Sequence, residues 1–170
     1  MNKFKYKWVI ITLLIVLSIM MMIFLFSTQS KESSAQLSGK FTTVVIKILD
    51  FIKKYLPSAN DGNVVITGEY NYFEDVNYYV RKFAHMTEYA LLGGALMFHL
   101  WSIIVLKEKI LSKVYITYSL AISTLYACSD EIHQIFIAGR GPQVKDVFID
   151  AVGAFIGSII IYGVIKIKSR

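Results

Sequence analysis

Apolar residues fall into four long runs, Trp8–Phe26, Ala84–Leu106, Val114–Cys128 and Val147–Ile165, separated by segments that hold nearly all the charge. A hydrocarbon core about 30 Å thick calls for roughly 20 apolar residues at helical rise. The first, second and fourth runs satisfy that on length. The third covers only about 22 Å at 1.5 Å per residue, so its helix has to continue through Ser129-Asp130-Glu131-Ile132-His133-Gln134. The pattern predicts an all-α protein, a bundle of four transmembrane helices over 8–26, 84–106, 114–133 and 147–165 within one domain spanning 1–170.

The long segment 27–83 has a different periodicity. Leu37, Phe41, Val44, Val45, Ile48, Leu49 and Ile52 recur at spacings of three and four, while Lys40, Lys47, Asp50, Lys53 and Lys54 fill the opposite face. That is an amphipathic helix over 37–56, expected to lie on the outer membrane surface or to cap the bundle. Pro57 and the polar run 58–63 end it in a turn. Tyr70, Tyr72, Phe73, Tyr78 and Tyr79 then form an aromatic cluster suited to the headgroup region ahead of the second span.

Composition agrees with a bilayer as solvent: 55% hydrophobic, 18% charged and a mean hydropathy of +0.54. Lys3, Lys5 and Lys7 resemble a signal-peptide n-region, yet the apolar run behind them is long and Ser27-Thr28-Gln29-Ser30 offers no small-x-small cleavage site, so the run is expected to stay as a span. The net charge of +6 is an orientation signal. Nine of the 18 basic residues sit at Lys3–Lys7, Lys107–Lys113 and Lys166–Arg170 with a single acid, Glu108; the other nine are diluted among the remaining acids. The positive-inside rule then puts both termini in the cytoplasm and the amphipathic helix outside. Nothing calls for a nucleic-acid partner. Cys128 stands alone, so no internal disulfide forms.

Three of the expected helices bring ionisable residues to the same outer end. Arg81, Lys82, His85, Glu88 and Tyr89 open the second span, and Arg81, His85, Glu88 and Tyr89 share one stripe at helical spacing. Asp130, Glu131, His133 and Gln134 close the third. Arg140 follows in the turn 138–142, and Asp146 and Asp150 lie one turn apart at the start of the fourth, in line with Gly153 and Gly157, a pair that lets another helix backbone approach. The plainest account is a lattice of ion pairs, Arg81 and Arg140 neutralising the carboxylates and holding helix ends together. Against it stands the cost of placing charge inside a bilayer, which makes such residues candidates for function. His99, beside Trp101, reads as an interfacial residue, and Cys128 as a packing residue.

Three pieces of this sequence match a known family. Phe26-Ser27-Thr28-Gln29-Ser30 with Ser33 and Ser34, Arg81-Lys82-Phe83-Ala84-His85-Met86-Thr87-Glu88-Tyr89, and Asp130-Glu131-Ile132-His133-Gln134 followed by Gly139-Arg140, Asp146 and Gly153 together resemble the VanZ-like membrane proteins. That family is named for a protein associated with low-level resistance to the glycopeptide teicoplanin. The resemblance covers about residues 20 to 165, and marks 37–79 as an insertion where the family has a short loop. It implies a phenotype rather than a reaction.

Two functions compete. In one, an outer-leaflet pocket of Arg81, Lys82, His85, Glu88, Tyr89, Asp130, Glu131, His133, Gln134, Arg140, Asp146 and Asp150 binds membrane lipids, a lipid-linked cell-wall precursor or a lipoglycopeptide, with guanidinium forks suited to phosphate or carboxylate heads. In the other, the chain is an enzyme acting on an envelope lipid, with His85, Glu88, Glu131 and His133 as acid, base or ligands to a divalent metal. A transporter ranks last, since four spans without an inverted repeat give little to alternate.

Overall fold

A computed structural model describes residues 3–55, 72–106 and 112–168. The inter-helix turn expected at 57–63, Tyr70, and Lys107, Glu108 and Lys109 lie outside the described residues. Within them the chain forms five helices and no strand: α1 (Lys3–Ser27), α2 (Lys31–Tyr55), α3 (Tyr72–Leu106), α4 (Val114–Gln134) and α5 (Val144–Lys168).

Among the described residues, three helices are long and apolar enough to cross a membrane, over Lys5–Ser27, Tyr72–Val105 and Val144–Lys168. The third of the expected spans differs. Helix α4 does run unbroken from the apolar stretch through Gln134, but Tyr, Ser and Thr residues and the Asp130-Glu131 pair dilute it below that level. Two helix starts also differ from expectation. Helix α2 begins at Lys31 rather than 37, because the Ser30 hydroxyl accepts the Ser33 N–H at 3.2 Å and caps it. Helix α3 begins at Tyr72, so Tyr72, Phe73, Tyr78 and Tyr79 ride on its first turns rather than in a loop.

Helix α3 is the hub, touching each of the other four. Its seam with α5 is made of backbone against backbone. A β-carbon at Gly153 or Gly157 would overlap the carbonyls of Met86 or Ala90, and one at Gly93 would overlap Ala154. Small residues at helical spacing allow such approach where lipid supplies no hydrophobic drive between helices. Serines finish the seam: Ser119 of α4 donates to the Gly93 carbonyl at 2.8 Å and lies 2.9 Å from Ser158 of α5. Val16, Ile23, Tyr89, Leu92, Leu96, Ala127 and Ala154 form the core between α1, α3, α4 and α5.

Outside that core the surface is apolar. Leu14, Leu17, Met21, Leu125, Phe148 and Ile160 all project outward, the reverse of a water-facing surface and what a lipid-facing one requires. Helix α2 behaves differently. Its small polar side is the one against α3, where buried Asn77 receives the hydroxyls of Ser38 at 2.5 Å and Thr42 at 3.0 Å and donates to the Ala35 carbonyl at 3.3 Å. The apolar stripe, with Phe41, Val44 and Ile48, stays exposed rather than capping the bundle.

Candidate functional site

One end of the bundle gathers the C-terminal ends of α1 and α4, the N-terminal ends of α2 and α5, and the first third of α3. Gly139, at φ +73, turns the chain after α4 in the left-handed region that glycine tolerates. That turn brings the 138–143 loop against α2, with the Lys31 N–H 3.4 Å from the Ala138 carbonyl. The Glu131 carboxylate accepts the Gln143 N–H at 2.6 Å and so fixes the residue just ahead of α5.

Between these parts lies a polar cavity of about 200 Å³, lined by Arg81, Lys82 and His85 of α3, Gln134 of α4, Arg140 of the loop, and Asp146 of α5. Next to it an apolar groove of about 720 Å³ runs between α2 and α3 past Leu37, Phe41, Val45 and Phe83. The two share Ser34, Arg81, His85 and Arg140, and Glu88 sits on the groove side. An apolar channel thus opens onto a cationic chamber.

Charge in the chamber is not evenly matched. Lys82 is paired with Asp146, and its ammonium also lies 5.1 Å from the centre of the Tyr78 ring. Arg81 and Arg140 form no ion pair among the described residues, and the Arg81 Nε is buried with no hydrogen-bond partner. Burial lowers the pKa of the loop residue Arg140 below its ordinary value; Asp130 opposes that shift and the neighbouring Arg81 charge adds to it. The lattice of arginine–carboxylate pairs expected from sequence is therefore not what forms. Lysine takes the carboxylate, and both guanidinium groups line the cavity without an ion pair among the described residues.

The remaining sequence candidates lie behind this wall and line neither cavity. Tyr89 is wholly buried in the core, its ring 6.3 Å from that of Tyr126, and its hydroxyl has no partner. Asp150 is 2% exposed and Asp130 4% exposed, each with one carboxylate oxygen unpartnered, although Asp130 accepts from Gln134 at 3.2 Å. His133 turns toward α1 and packs on Phe24 at 4.8 Å between ring centres. The four-ligand arrangement of His85, Glu88, Glu131 and His133 is not assembled: among the described residues no group of three His, Cys, Asp or Glu side chains is placed to hold a metal ion. The reason is helical geometry, because His85 and His133 face different neighbours, the cavity and α1.

Lys31, Ser34, Tyr78 and Gln143, none of them among the candidate site residues, also line the cavity, although Ser34 belongs to the motif after the first run and Tyr78 to the aromatic cluster. The signal for the first two was the Ser-rich stretch after α1, which carries no charge pattern of its own.

A family model, VanZ/LLP1, matches residues 12–166. The chain belongs to the VanZ/LLP1 family, and with its apolar helices this points to a membrane protein. Comparison with curated proteins and with solved structures finds no match.

Proposed function

We propose that this protein crosses the membrane four times with both termini cytoplasmic, and that its outer face binds an amphiphile with an anionic head. The candidates are a lipid-linked cell-wall precursor, another envelope lipid, or a lipoglycopeptide, and binding would contribute to the glycopeptide (teicoplanin) tolerance for which the family is named. One observation carries the reading: two arginines without ion-pair partners line both the polar cavity and the apolar groove. Guanidinium forks match phosphate or carboxylate, and the groove offers the tail an apolar path to the same point. For α4 as a fourth span, Ser119, Ser123 and both of its carboxylates, Asp130 and Glu131, are buried against the bundle, while Thr117, Tyr118 and Ser129 stay exposed.

The binding test is lipid mass spectrometry on gently purified protein. Wild type should carry an anionic lipid that is lost from Arg81→Gln and Arg140→Gln. Identical lipid complements in all three would overturn the reading. The topology test is labelling with an impermeant thiol reagent after Cys128→Ser. Cysteine introduced at Lys145 should react from outside and one at Lys113 should not, and the reverse pattern would move the cavity to the cytoplasm.

A second reading, catalysis on an envelope lipid, draws on the unpartnered oxygens of Asp130, Asp150 and Tyr89 behind the chamber. With His133 turned away, His85 would be its base and Glu88 its acid or orienting group. Headgroup release from a lipid-linked precursor that disappears in His85→Gln would put this reading first.

A further inference from the structure

The opposite end of the bundle holds a second groove, of about 670 Å³, between α1, α3 and α5. Phe98, Val105, Val164 and Ile165 form its apolar walls. Lys5 near the start of α1 and Lys168 at the end of α5 stand at its mouth, and Trp8 and Trp101 line it. Its floor is polar in a particular way. Thr12, 2% exposed, has its hydroxyl 2.9 Å from His99 Nδ1 and 3.0 Å from the Ser102 hydroxyl. Every one of these groups is partnered, so the floor closes α1 onto α3 without trapping a charge. Neither lysine has a carboxylate partner among the described residues.

From this arrangement we infer that the groove is a binding site for an anionic glycerophospholipid: the phosphate between Lys5 and Lys168, the glycerol region beside Trp8 and Trp101, and an acyl chain along Phe98 and Val164. Three layers of lipid are matched by three layers of protein. Two ammonium groups meet one phosphodiester, aromatic rings with N–H groups meet the ester zone where tryptophan prefers to sit, and branched aliphatics meet the chain. A basic opening between helices is the feature that selects anionic over zwitterionic headgroups. The site is separate from the outer cavity and stands whether or not that cavity binds what is proposed above.

Both tryptophans of the chain line this groove, so its occupancy can be read directly. The full-length protein would be reconstituted in phosphatidylcholine vesicles containing a minor fraction of brominated lipid, either phosphatidylglycerol or phosphatidylcholine, and tryptophan quenching titrated. We expect the brominated anionic lipid to be preferred by about thirtyfold at most, as two basic side chains each contributing about 1 kcal/mol to one headgroup would give. The preference should vanish in Lys5→Gln/Lys168→Gln and persist in Arg81→Gln. Equal quenching by the two lipids overturns the inference, as does a preference that survives the double substitution or is lost in Arg81→Gln. Quenching that falls as protein is crowded in the bilayer would mean that a second copy covers the groove, which also overturns it. If the double variant inserts poorly, Lys168→Gln alone must lower the preference severalfold for the inference to stand.

Discussion

The two ends of the bundle solve the problem of polar groups in lipid in opposite ways. At the Thr12–His99–Ser102 end, neutral side chains satisfy one another across α1 and α3. At the Arg81–Arg140 end, buried atoms of Ser27, Arg81, Tyr89, Asp130, His133 and Asp150 are left without partners. An unmade hydrogen bond in a buried site costs more than a made one gains. One end is closed by its own side chains while the other leaves six polar groups open, which is the difference the proposed ligand site would require.

The largest effect should come from erasing what the two ends share. Gly157→Leu drives a side chain into the Ala90 backbone, and overpacking of that kind costs about 3 kcal/mol or more. Thermal unfolding in detergent should show both ends lost together; survival of the Arg81–Arg140 cavity alone would show that the ends are built independently. Next is Lys82→Met, which strips Asp146 of its partner in a pair whose side chains are only 15% and 13% exposed. A loss of about 2–3 kcal/mol is expected, less than for a fully buried pair. Thr12→Val should cost roughly 1 kcal/mol, the net worth of hydrogen bonds to neutral partners, read as a small drop in melting temperature. The smallest effect on stability sharpens the comparison most. Arg81→Gln should leave stability unchanged or raise it, since it removes repulsion with Arg140, and yet should abolish lipid retention. A stability loss equal to that of Lys82→Met would return Arg81 to a structural role.

Much of this was visible in the sequence because the signals were local. The runs at 8–26 and 147–165, and the stripe Arg81, His85, Glu88, repeat within a few turns, and periodicity exposes them. So does Gly153-x-x-x-Gly157, which meets α3 as its spacing suggests. What escaped was pairing at a distance. Thr12 and His99 are 87 positions apart and Lys82 and Asp146 are 64 apart; no periodicity says which cation a carboxylate will choose. His133 escaped for another reason, since its helix position is legible but the helix rotation that turns it to Phe24 is set by α4 packing on its neighbours.

The glycine seam also decides how compliance is distributed in the molecule. Helices α3 and α5 meet through main chain, which has no rotamers to rearrange, so they act as a stiff keel. Helix α2, one wall of the apolar groove, hangs on a few side-chain hydrogen bonds centred on Asn77. Any widening of the groove therefore falls on α2 rather than on the floor that carries the arginines, and the proposed ligand's head would keep its geometry while the channel adapts to its tail. Spin labels at Lys40 and Phe83 should report a broad distance distribution that narrows on loading. A pair at Phe83 and Phe148 should stay narrow throughout.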